Sequence, residues 1–162
     1  MDPEHIALDS AGHVVITDFR IALDANNNDQ PCRNPEYRTP EYLNGQREGS
    51  EADWWRLGVL IYELLVGFPP FRDQDPTELN NKILSVSIRY PPFVSTAACD
   101  IISKLIEVDI NKRLGCGRNG FSEIIQHQFF ADVNWSLVDR RNQPVPPIVL
   151  QCIESIDKGK PA

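Results

Sequence analysis

No apolar run in the 162 residues approaches the ~18 that a membrane-crossing helix needs, and no basic-then-apolar leader opens the chain, so neither a membrane span nor a secretory signal is expected. A basic excess is missing as well. Sixteen lysines and arginines stand against 23 aspartates and glutamates, for a formal charge of −7. That balance excludes a general nucleic-acid binder, which needs a positive face; it suits solubility or recognition of a basic partner. The four cysteines, Cys32, Cys99, Cys116 and Cys152, contain no C-x-x-C pair. A zinc site or disulfide framework is therefore not expected, and reduced thiols in an intracellular protein, cytoplasmic or nuclear, are. The histidines His5, His13 and His127 have no metal-ligand spacing. Asn134-Trp135-Ser136 spells a glycosylation sequon, which carries no weight without secretion. What is present, 41 % hydrophobic and 24 % charged residues, suits one ordinary domain with a real core.

Residues 6–17 read as a hairpin, with short apolar runs at Ile6-Ala7-Leu8 and His13-Val14-Val15-Ile16 around a loop that ends in Gly12. From Leu23 to Gly49 the text is polar and irregular, too long for a passive connector. A helix is predicted from about Asp53 to Val66, stopped by Gly67 and Pro69-Pro70; from Leu57 onward it is apolar on nearly every side, so it belongs inside the fold. Further helices are predicted from Pro76 to about Ile88, from Thr96 to Val108 behind the cap Ser95, and from about Phe121 to His127. After Phe129-Phe130 the proline-rich text predicts an extended tail.

In this order the segments resemble the C-terminal lobe of an AGC-class serine/threonine protein kinase. Asp2-Pro3-Glu4-His5-Ile6-Ala7-Leu8-Asp9 is similar to the end of the catalytic loop, pattern K-x-E-N-I-L-L-D. His13 to Arg20 resembles the strand leading into D-F-G, and Thr39 to Gln46 resembles T-x-E-Y-x-A-P-E. Asp53-Trp54-Trp55 through Phe71 resembles the buried central helix and its following turn. Lys112 to Gly117, then His127, Phe129-Phe130 and Asn134-Trp135, resemble the last helices and the opening of the AGC tail. Leu114-Gly115-Cys116-Gly117 is especially similar to the N-terminal kinase domain of mitogen- and stress-activated kinases and their ribosomal-protein-kinase relatives. The resemblance implies a mainly α fold with a short β-hairpin near the N-terminus and the N-terminal lobe absent. It implies a partial kinase domain over 1–130 and a tail fragment over 131–162.

What the resemblance implies for chemistry is mostly loss. Phosphoryl transfer depends on holding phosphates and metal rigidly, with a carboxylate near the attacking hydroxyl. The catalytic aspartate of H-R-D would align one position before Met1. The glycine-rich loop and its lysine have no counterpart in this stretch either, so no intact catalytic residue is expected. Asp2 stands where the family has a phosphate-clamping lysine. Asp18 matches the magnesium aspartate of D-F-G, but His5 stands in place of the asparagine ligand, and imidazole suits magnesium poorly. Arg20 replaces the glycine of D-F-G. The activating phosphorylation position falls near Pro35, which has no hydroxyl, and Arg38 takes a glycine's place. Gln46 replaces the glutamate that ends A-P-E, whose partner in the family is a buried arginine matched by Arg113. A loosened lock is expected there, with Glu48 or Glu51 as stand-ins.

The surviving positions are architectural or line the substrate groove. Asp53 matches the aspartate that holds the catalytic loop, Thr39 the substrate-loop threonine, and Glu63 a residue that reads arginine in substrates. No cofactor is expected for this chain, although the family uses Mg-ATP. The leading expectation is a truncated, non-catalytic lobe that binds a protein partner or self-associates through an exposed α-helical core, with no nucleic-acid or membrane role. The competing one is the downstream part of an ATP-dependent serine/threonine kinase. Gly115 to Gly120 spells G-x-G-x-x-G, but it follows a helix rather than a strand, which excludes dinucleotide binding.

Overall fold

A computed structural model describes residues 3–17 and 34–158. These fall into two compact units, one built on residues 34–131 and the other on 3–17 with 132–158. In the second unit, strands β1 (Ile6–Leu8) and β2 (Val14–Ile16) pair antiparallel, with Ile6 opposite Ile16 and Leu8 opposite Val14. The turn is set by Asp9, whose side chain accepts the amides of Ala11 and His13 at 2.9 Å each. Gly12 follows at φ 85°, and a Cβ there would lie 2.5 Å from Cγ1 of Val145, so glycine serves both the turn and a close approach within the unit.

The first unit is helical: α1 (Pro40–Leu43), α2 (Glu51–Val66), α3 (Pro76–Leu84), α4 (Thr96–Leu105) and α5 (Phe121–Ile125). Three of the starts have a local cause. Thr39, Asp75 and Ser95 accept hydrogen bonds from the first-turn amides of α1, α3 and α4, and prolines occupy the first turn of α1 and α3. Gly67 ends α2 in the left-handed conformation, its amide returning to the Glu63 carbonyl. The apolar middle of α2 is buried as its sequence demands, packed against α4 so closely that a Cβ on Gly58 would sit 2.9 Å from Cβ of Leu105. Trp55 and Phe71 stack at 5.9 Å in the same core. The exposed apolar surface of α2 is confined to its last turn, where Leu64 is 74 % accessible.

Several expectations need correction. The irregular stretch 23–49 contains a 3-10 turn at Pro35–Tyr37 and helix α1, because Asn34 and Thr39 each cap a following proline-led turn. α3 stops at Leu84 rather than Ile88: the Ser85 hydroxyl returns to the Asn81 carbonyl and Val86 turns at φ 49°. α4 stops at Leu105 rather than Val108, where Ile106 leaves the helical region at ψ 63°. The tail is not extended: α6 (Trp135–Asp139), capped by Asn134, and α7 (Pro147–Lys158), led by its proline, are helices. Among the described residues no helix is long and apolar enough to cross a membrane, and Cys99, Cys116 and Cys152 are free thiols. In the G-x-G-x-x-G run Gly115 serves packing, since a Cβ there would meet Ile124 at 2.8 Å and the Trp54 ring at 3.0 Å.

Candidate functional site

Glu63 lies near the end of α2 and receives the hydroxyl of Tyr37 at 2.7 Å. Tyr37 itself is buried, so its phenol is a fixed strut that orients one oxygen of the Glu63 carboxylate. The residue before it, Glu36, is close enough to Glu63 to feel its charge. Partial burial raises the Glu36 pKa above its ordinary value; Arg72 opposes that shift and the negative charge of Glu63 reinforces it. Arg72 stands at the mouth with Nε 3.9 Å from Glu36 Oε1. Two carboxylates near enough to repel each other favour a cation between them.

Beside this acidic pair, Thr39 is fully buried. Its hydroxyl donates to Glu48 Oε1 at 2.5 Å and accepts the Tyr42 amide at 3.1 Å. Both oxygens of Glu48 also accept from Arg56 Nη2 at 2.7 Å. Thr39 is thus a cap and a link to α2, not a groove-facing hydroxyl.

The third cluster is the deepest. Arg113 is buried, with Nε donating to the Glu107 carbonyl at 2.8 Å and Nη1 to the Glu51 carbonyl at 3.0 Å. Nη2 forms an ion pair with Glu41 of α1, and the guanidinium lies over the Trp55 ring, 5.3 Å from its centre. One side chain ties α1, the first turn of α2 and the segment after α4 together. Gln46 is exposed and is not the acceptor of the Arg113 guanidinium; its backbone amide donates to the Glu41 carbonyl at 2.9 Å. Neither the Glu48 nor the Glu51 side chain fills the role, since Glu48 is engaged by Arg56 and Glu51 offers Arg113 its backbone carbonyl.

The remaining expected residues are scattered. Asp53 is exposed on the first turn of α2. His5 ends the 3-10 turn Pro3–His5 in the other unit, and its carbonyl accepts the Thr17 amide at 2.8 Å. Met1, before which the catalytic aspartate would align, and Asp2, at the lysine position, lie outside the described residues. Asp18, with Phe19 and Arg20, lies outside them too. No group of three or more metal-ligating side chains occurs among the described residues.

Comparison with known proteins matches residues 1–130 to the protein kinase domain. The chain belongs to the protein kinase family. Its relatives are AGC-type serine/threonine kinases. It is 41 % identical over 150 residues to the cAMP-dependent protein kinase catalytic subunit PRKX of Mus musculus, covering 92 % of this chain and 42 % of that protein. It is 38 % identical over 148 residues to protein kinase 2 of Dictyostelium discoideum, covering 90 % and 30 %. With the serine/threonine protein kinase ypkA of Aspergillus fumigatus it shares 40 % over 151 residues, 89 % and 23 %. The chain therefore spans less than half the length of these relatives.

Family membership gives the Arg113 geometry a sharper meaning. The expected T-x-E-Y-x-A-P-E over Thr39–Gln46 assigned the arginine's acid to Gln46; the ion pair assigns it to Glu41, five residues earlier. Laid over Asn34–Glu41, the same pattern finds Glu36, Tyr37, Pro40 and Glu41 in place. The lock is intact. Thr39 then occupies the alanine position, which agrees with its complete burial, and Asn34 takes the threonine's place, its side chain capping the Glu36 amide at 3.1 Å. The activating phosphorylation position moves from Pro35 to near Gln30, outside the described residues and also without a hydroxyl. Glu36, which reasoning from the sequence alone passed over, lies close enough to Glu63 for their charges to interact. The signal was present, since the shifted register matches four of the pattern's positions.

Proposed function

We propose that this chain is a kinase lobe that docks a basic peptide segment and does not transfer phosphate by itself. The observation that carries the docking is the Glu36–Glu63 pair, both carboxylates partly exposed, one oriented by the Tyr37 hydroxyl and the other near the Arg72 guanidinium. Against catalysis stand Asp2 in place of a phosphate-clamping lysine, Arg20 in place of the D-F-G glycine, and His5 in place of a metal-binding asparagine. The residues present do not fit Mg-ATP, because imidazole nitrogen replaces one of two hard oxygen donors. Isothermal titration with a blocked peptide of two arginines among glycines tests the proposal. Saturable binding lost in Glu63→Gln supports it, and equal binding by that variant refutes it. Millimolar Mg-ATP is expected to leave the melting temperature unmoved.

The intact Glu41–Arg113 pair favours a second reading, the downstream part of a catalytically competent AGC kinase. A fold with no phosphoryl transfer to support has less need of that anchor. Phosphate incorporation into the same peptide context with an added serine, abolished by Asp18→Asn, would select this reading over the first.

A further inference from the structure

Arg72 follows Phe71, which is fully buried against Trp55, and its own carbonyl accepts Lys82 Nζ at 3.0 Å. The next residue, Asp73, takes a second contact from the same ammonium at 2.7 Å. The backbone of Arg72 is thus pinned on both sides, to the core and to α3. Its side chain is not: it is 71 % accessible and reaches Glu36 at 3.9 Å, beyond a direct hydrogen bond. A fixed root, an exposed guanidinium and a loose contact with a groove carboxylate describe a residue that occupies the site without closing it.

We propose that Arg72 is a built-in competitor for the acidic pair, a cation supplied by the chain itself that an incoming basic side chain must displace. The proposal rests on the peptide-docking reading above. It makes Arg72 a specificity-determining residue. With Arg72 in place the three side chains carry a net charge of −1, enough for one guanidinium; without it the site carries −2 and accepts two. The competitor is weak because an exposed pair at this distance gains little in water. It therefore raises the threshold for binding rather than blocking the groove, and weighs most against ligands that bring two bases, since it leaves uncompensated charge for only one. Asp73 and Lys82 neutralise each other and leave this charge count unchanged.

The test measures two quantities in wild type, Arg72→Gln, Arg72→Lys and Glu63→Gln. The first is affinity for blocked glycine peptides carrying one or two arginines, by isothermal titration. Arg72→Gln is expected to bind the two-arginine peptide about two- to fivefold more tightly, the range that an exposed ion pair is worth, with a smaller gain for the one-arginine peptide and Arg72→Lys close to wild type. The second is the Glu36 carboxyl titration by carbon-detected NMR, which needs no peptide; it should move upward in Arg72→Gln, because the arginine now favours the charged form. Unchanged affinity in Arg72→Gln, while Glu63→Gln still abolishes binding, overturns the competitor and spares the docking reading. Absence of binding in every variant overturns the docking reading. A Glu36 titration unaffected by Arg72→Gln overturns the competitor whatever the peptides do.

Discussion

Replacing Glu41 with glutamine tests the corrected register directly. The substitution preserves shape and an acceptor oxygen but leaves the Arg113 guanidinium, which is 1 % accessible, without a counter-charge. Breaking one side of a buried pair costs roughly 3–5 kcal/mol. Arg113 keeps its two carbonyl acceptors, at Glu107 and Glu51, and its seat over Trp55, so the lower end of that range applies, about 3 kcal/mol. For a chain of this length that corresponds to a fall in melting temperature of about 6–12 °C. Thermal and urea melts of Glu41→Gln should show this loss. Gln46→Ala, at an exposed residue, should stay within about 0.5 kcal/mol of the parent. The double variant Glu41→Leu with Arg113→Met separates the cost of a stranded charge from the value of the pair, and should recover much of the loss. A Glu41→Gln melt within about 1 kcal/mol of wild type, or a Gln46→Ala loss of equal size, would refute the assignment of Glu41 as the closing acid.

Two further outcomes follow from local geometry. Gly58→Ala would bring a Cβ within 2.7 Å of Ile106 Cγ1 and 2.9 Å of Leu105 Cβ; the overpacking, partly offset by alanine's better helix propensity, should cost about 1–2 kcal/mol in urea melts, and an unchanged midpoint would show that α4 can move aside. Glu36 has a folded pKa raised above the ordinary 4.5 by burial, so the folded state holds more protons than the unfolded state just above that pH and loses stability as pH climbs through the window. Glu36→Gln should therefore be more stable than wild type at pH 7, by less than about 1 kcal/mol given its solvent access, with the difference vanishing below about pH 4; a variant less stable at neutral pH refutes the sign.

The starts of α3 and α4 and the end of α2 were legible because they depend on near neighbours, whereas α1, α6 and α7 were not. Ser95 before Thr96, Pro76 behind Asp75, and Gly67 after Val66 act within one turn, and each marks the boundary that the structure shows. Helix ends were less so. Nothing local in Ser85-Val86-Ser87 announces that Val86 will adopt a positive φ, and the tail prolines lead helices as readily as they interrupt them. The motif register failed for a different reason. Pro-Glu-Tyr occurs twice, at Pro35-Glu36-Tyr37 and at Pro40-Glu41-Tyr42, five residues apart. The two frames differ by a single match to the pattern, three positions over Thr39–Gln46 and four over Asn34–Glu41. Burial separates them: Tyr37 is 1 % accessible and donates to Glu63, whereas Tyr42 is only partly buried and lies under Arg38 as a cation–π partner. Arg113, distant in sequence, then selects Glu41. The tertiary contact turns that one-match margin into a decision.

The correction changes what the departures from the family mean. With Gln46 removed from the losses, the departures from the family pattern include Asp2, His5 and Arg20 at positions for phosphate and metal, Asn34 at the substrate-loop threonine, and Gln30 near the activating position. On the proposed peptide side, Tyr37 still donates to Glu63, and the Glu41–Arg113 pair is intact. A carboxylate whose charge is opposed by burial and by Glu63, and eased by Arg72, is the physical reason to look for a basic ligand before looking for turnover.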